Sequence, residues 1–133
     1  MEKIKVLSRT KEDYKDLESF LIKNDLIDKN AIWFAGYDDS LKSTRHAVAA
    51  NVFTGYSKLN IISLSGDIIF YLKNSKDGFN VYELAKVSEK NKVGIRRHII
   101  YPSVEVHTEH GDSIYIKVIK NKSSIKAFKK TVK

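Results

Sequence analysis

Val104-Glu105-Val106-His107-Thr108, then Glu109-His110-Gly111-Asp112, then Ile114-Tyr115-Ile116-Lys117-Val118: two runs alternate apolar with polar residues around a glycine-containing turn. Side chains of an extended chain point to opposite faces in turn, so this pattern predicts a β-hairpin with one face toward a core. Immediately after it, Ser123 or Ser124 can cap a helix in which Ile125, Phe128 and Val132 recur three and four residues apart, with lysines between them. A helix with one apolar stripe buries that stripe against a sheet. The last third of the chain is therefore expected to be strands closed by a C-terminal helix.

Upstream, the same alternation continues in shorter pieces. Ala31-Ile32-Trp33-Phe34-Ala35-Gly36-Tyr37 suits a strand, and Leu59–Leu64 and Ile68–Leu72 are two more, joined through Ser65-Gly66-Asp67 as a hairpin loop. Asn74–Gly78 reads as a loop and Phe79–Leu84 as the next strand. Lys90-Asn91-Lys92-Val93-Gly94 reads as a polar connection, before Ile99-Ile100-Tyr101 leads to Pro102. Ser40 to Asn51 is compatible with helix, while Val52–Tyr56 returns to strand-like composition. Near the start, Thr10-Lys11-Glu12-Asp13 resembles a capping box. Tyr14, Leu17, Phe20 and Leu21 fall on one face of an amphipathic helix running to about Lys23, which Asn24-Asp25 ends. Ile4 and Val6 alternate with lysines, as a short edge strand or an extended lead-in.

A chain of 133 residues with 42% hydrophobic residues can bury one sizeable core, so a single folding unit is expected. Within it, residues 1–30 form an N-terminal helical extension and residues 31–133 a β-rich domain. The fold class expected is α+β, mainly β: a small antiparallel curved sheet or split barrel capped by a C-terminal helix, with an N-terminal amphipathic helix. There is no cysteine, which removes disulfides, thiolate metal sites and cysteine nucleophiles and fits a reducing, cytoplasmic setting. Met1-Glu2-Lys3-Ile4-Lys5 carries charge where a secretory signal needs an apolar run, and no stretch approaches a membrane span.

The order of these elements resembles that of bacterial pleckstrin-homology-like (PH-like or GRAM-like) domains over roughly Ala31 to Lys133. Asn51–Ile62, with its Thr54-Gly55 and Lys58 before apolar positions, is similar to an early strand of that family. Tyr82-Glu83-Leu84-Ala85-Lys86-Val87-Ser88 is similar to a later segment, and Val104–Val118 with Ser124–Lys130 to the penultimate hairpin and capping helix. A longer insertion, Val87 to Val104, separates two late strands. The resemblance implies an interaction module without catalysis or cofactor, engaging a protein or peptide or another copy of itself.

The formal charge of +8 is concentrated at the end. Lys117, Lys120, Lys122, Lys126, Lys129, Lys130 and Lys133 occur without an acid, either as an anion-binding surface or as the solvated face of a terminal strand and helix. With Arg45, Lys90, Lys92, Arg96 and Arg97, the lysines Lys126, Lys129 and Lys130 are the candidate contacts for a polyanion, whether nucleic acid or anionic headgroups, with His46 and His98 beside them. His107, Glu109 and His110 offer two imidazoles and a carboxylate of the kind that bind a metal, but residues three apart on a strand diverge. Asp38 and Asp39 read as a turn, not as an acid and base pair. Trp33, Phe34 and Tyr37 read as core or as the wall of a slot. No nucleotide loop or nucleophile elbow occurs, so no catalytic or metal residue is assigned.

Overall fold

The computed structural model describes residues 3–7, 16–38, 59–75, 78–89, 91–96, 102–109, 111 and 113–132. Eight strands form one antiparallel sheet: β1 (Lys3–Leu7), β2 (Ile32–Asp38), β3 (Asn60–Ser65), β4 (Ile68–Ser75), β5 (Gly78–Lys86), β6 (Asn91–Arg96), β7 (Ser103–Thr108) and β8 (Ser113–Lys120). Two helices accompany them, α1 (Leu17–Lys23) and α2 (Ser124–Val132). The strand order is β1-β5-β4-β3-β2-β8-β7-β6, so two meanders, β2 to β5 and β6 to β8, are joined where β2 pairs with β8.

This order forces the sheet to roll. β5 and β6 stand six places apart, about 29 Å in a flat sheet at the usual strand spacing of about 4.8 Å. Lys86 is nevertheless linked to Asn91 by a segment that can reach at most about 18 Å. The far strands must therefore swing toward one another, although the sheet does not close and β1 and β6 remain its edges.

Each face carries its own core. On one face Phe34, Ile62, Tyr71, Leu84, Val104 and Ile116 gather with Ile125, Phe128 and Val132 of α2, the three helix positions expected from their spacing. Phe128 meets Phe34 edge to face, with ring centroids 5.2 Å apart. On the other face Leu17, Phe20 and Leu21 of α1 pack with Trp33, Ile61 and Phe79. β2 and β3 are consequently buried on both sides, which is why Ile61 and Ile62, adjacent in the chain, are both fully covered.

Three register shifts bend the sheet. Ile69 pairs with Ala85 and Phe70 with Glu83, leaving Leu84 as an extra residue, so Leu84 and Ala85 are both buried despite being neighbours. On β8, Ala35 pairs with Lys120 and Gly36 with Val118, leaving Ile119 extra. On β1, Ile4 is the extra residue. Between β3 and β4, Gly66 takes φ 59° while Asp67 does not share a positive φ, the pattern of a type II′ hairpin turn.

Several expectations need correction: Asp38 is a paired residue of β2 and not a turn, and Asn74, Ser75 and Gly78, expected in a loop, are paired residues of β4 and β5. Lys90–Gly94 is not a polar connection, because Asn91–Arg96 is a strand paired residue for residue with β7. The Val87–Val104 insertion therefore contains a strand that is an edge of the sheet among the described residues. The helix cap also shifts: Asp16 has non-helical φ and ψ and caps α1, whereas Thr10–Lys15 lie outside the described residues. So does all of Ser40–Asn51. Ile4 and Val6 belong to an edge strand, β1.

Gly94 in the middle of β6 has no steric need to be glycine. A Cβ there would meet Glu105 Oε2 at 3.6 Å, ordinary contact, with no positive φ involved. Gly94→Ala is accordingly expected to raise stability by about 0.5 kcal/mol, because alanine loses less backbone freedom on folding. Urea unfolding followed by the single tryptophan, buried Trp33, measures it, and a clear loss would contradict this.

Candidate functional site

The surface features that can bind something are the two sheet edges and the helix beside one of them. β1 is five residues long, and the extra residue Ile4 interrupts its pairing with β5. Ile4 is 49% exposed, and no other large hydrophobic among the described residues is exposed. A short, bulged strand between lysines is a blunted edge. β6 differs: all six residues pair in regular register with β7 from Asn91↔Thr108 to Arg96↔Ser103, and no strand lies on its other side among the described residues. Its row of backbone donors and acceptors is the more regular template for an added strand.

α2 contacts both β2 and β6. With Ile125, Phe128 and Val132 turned to the core, Lys126, Lys129 and Lys130 are exposed, as the periodicity implied. Of the other candidate cations, Lys92 and Arg96 lie on β6, where their backbone is described, and Arg45, Lys90 and Arg97 fall outside the described residues. His46 and His98 fall outside them too. The fold thus brings the Lys92–Arg96 strand and the Lys126–Lys130 helix, thirty residues apart in sequence, onto neighbouring elements. Lys117 and Lys120 are instead half-buried on β8.

His107 has a different set of neighbours from the one weighed in the sequence. Its Nδ1 is 2.9 Å from Ser113 Oγ and its Nε2 3.5 Å from Glu105 Oε2, with the Tyr115 ring edge-on. His107↔Ser113 and Glu105↔Tyr115 are cross-strand pairs, so all four residues share one face of the hairpin. His110 lies outside the described residues, and no group of three potential metal ligands occurs among those described. Serine, imidazole and carboxylate in a row are the parts of a nucleophile relay. Here Ser113 is exposed on an open strand, so the hydrogen bonds fix the imidazole without enclosing a reaction.

A cleft of about 460 Å³ lies between α1 and the end of β8, lined by Asp16, Leu17, Glu18, Trp33, Lys120 and Asn121. Trp33 Nε1–H donates to the Glu18 carboxylate at 3.2 Å, and Asn121 Nδ2–H donates to the Trp33 carbonyl at 2.7 Å. Trp33 is 5% exposed and packs in the core of this face, so it borders the cleft while presenting little surface to it. The cleft is a joint that fastens α1 to the sheet.

Asp16 caps the start of α1 by accepting from the Ser19 hydroxyl at 2.9 Å and the Ser19 backbone N–H at 3.2 Å. These hydrogen bonds, the hydroxyl's first, hold its carboxyl below the ordinary 3.8, with Lys120 adding to the effect. A lowered folded-state pKa contributes stability that is present above 3.8 and is lost as pH falls through the lowered value. Acid titration of α1 docking, followed by Trp33 emission, should therefore show a loss below pH 3.8 that Asp16→Asn diminishes. An unchanged profile in the variant would refute this role.

No protein-family model, curated protein or solved structure matches the chain. No helix among the described residues is long and apolar enough to cross a membrane.

Proposed function

We propose that this chain is a non-catalytic, cytoplasmic binding module of PH-like character that takes an extended segment of a protein partner onto the β6 edge, beside α2. The observation that carries the reading is the contrast between the edges: β6 is regular over six residues, whereas β1 is interrupted at Ile4. Main-chain hydrogen bonds supply affinity in strand addition, and a neighbouring helix frames the added strand. The rolled sheet with a C-terminal helix on one face suits the split-barrel form that PH-like domains take. The lack of cysteine suits the cytoplasm.

A second reading, binding of a nucleic acid or anionic headgroups, draws on the exposed Lys126, Lys129 and Lys130. The aromatic residue of α2, Phe128, is fully buried, so the helix offers lysines without a ring for base stacking.

Hydrogen exchange with and without an alternating threonine-valine heptapeptide tests strand addition. Protection is expected at the amides of β6 and not at β1. Protection confined to β1, or none at either edge, would remove the reading.

A further inference from the structure

Strand addition does not by itself say which strand is added, but charge does. β6 contributes Lys92 and Arg96, α2 contributes Lys126, Lys129 and Lys130, and neither element contains an acid. The three helix lysines are exposed and recur at spacings of three and four, which places them along one stripe. α2 contacts β6, so the helix that carries this stripe packs beside the strand that has no second neighbour among the described residues. The arrangement joins two recognition modes, backbone pairing and charge pairing, at one place.

We propose that the occupant of the β6 edge is an extended, Asp- and Glu-rich segment of a partner protein, its backbone paired with β6 and its carboxylates facing the lysines of α2. This rests on the strand-addition reading above. Charge argues against a second copy of the chain. If β6 paired with its own two-fold mate about Gly94, Lys92 of each copy would face Arg96 of the other, and like charges directly opposite one another are destabilising in a sheet. Two chains of formal charge +8 also repel over longer range. An acidic strand meets the reverse situation at every step. Apolar residues alternating with acids would keep the segment extended without collapsing it on itself.

The test uses the full chain and three fluorescein-labelled heptapeptides: Glu-Val-Glu-Val-Thr-Val-Glu, its Lys-Val-Lys-Val-Thr-Val-Lys counterpart, and Glu-Pro-Glu-Val-Pro-Val-Glu, which keeps the charge but loses an amide donor in either pairing register and resists the ladder geometry. Anisotropy is expected to show the first binding at least tenfold tighter than either of the others. The triple variant Lys126→Glu/Lys129→Glu/Lys130→Glu should weaken it at least tenfold while Trp33 emission stays unchanged, since all three side chains are exposed. Equal binding of the acidic and basic alternating peptides would overturn the acidic partner and leave strand addition standing. Equal binding of the proline peptide, or no binding of any of them, would overturn strand addition and this inference together. If a random DNA duplex displaces the acidic peptide at lower concentration than unlabelled peptide does, the occupant is nucleic acid and the inference is wrong.

Discussion

Gly36→Ala should cost roughly 3 kcal/mol of stability, a large part of the 5–15 kcal/mol typical of a domain. Gly36 sits on β2 where β8 carries its extra residue Ile119. A Cβ built there would run into the Lys117 carbonyl oxygen and fall 2.7 Å from Ile116 Cγ2. The first contact is with backbone, which cannot rotate away as a side-chain tip can. Either the β2–β8 pairing opens or the bulge is lost, and both disturb the pairing that joins the two meanders among the described residues. Gly36→Val, with a branched Cβ in the same space, should be worse and is expected not to fold. The measurement is urea unfolding by Trp33 emission, with Gly94→Ala as the control strand glycine. A loss below about 1 kcal/mol for Gly36→Ala, within the range of an ordinary surface substitution, would show that the sheet accommodates the methyl by moving. The close approach would then not be what requires glycine.

What could be read in the sequence follows from how much of each element's burial is local. The β7–β8 hairpin and α2 were legible because one face of each is buried throughout, so the period of the apolar residues reports the structure directly. β6 was not, since Asn91-Lys92-Val93-Gly94-Ile95-Arg96 holds only two aliphatic residues, and these on either side of a glycine look like a loop. Leu84 and Ala85 break alternation because a bulge turns both inward, which no single-strand pattern announces. The candidate binding surface was half legible: the lysines of α2 were visible as an acid-free run. That β6 borders them is a property of the strand order, which rests on β2 pairing with β8 across about eighty residues. Likewise His107 and Glu105 share a face by simple alternation, but the contact with Ser113 depends on the β7–β8 register, which pairs His107 with Ser113.

The strand order also explains why one helix governs both stability and the candidate site. α2 is nine residues long, too short to persist alone in water, so its helicity depends on packing. Lys126, Lys129 and Lys130 therefore hold their stripe beside β6 only while Ile125, Phe128 and Val132 stay docked. The lysines set what the surface attracts, and the apolar face sets whether that surface exists.

Phe128→Ala tests this coupling and should lower stability by about 3–4 kcal/mol, the range for removing a buried phenylalanine and leaving a void. Phe128 has no exposed surface and its ring meets Phe34, itself fully buried on β2, at 5.2 Å edge to face. Because Phe34 also packs with strands of both meanders, the void opens at the centre of the core and cannot be filled from solvent. A double-mutant cycle with Phe34→Leu should return a coupling of about 1 kcal/mol, the part due to ring geometry beyond simple burial. Thr131→Ala, on the exposed side of the same helix and bonded only to its own turn through Ala127, should change stability by less than about 0.5 kcal/mol. If the Phe128 variant remains folded at low temperature, its affinity for the acidic heptapeptide should fall together with α2 helicity, although no lysine has been altered. Retained affinity with a melted helix would show that the lysines act as a loose charged tail and not as a stripe fixed beside β6.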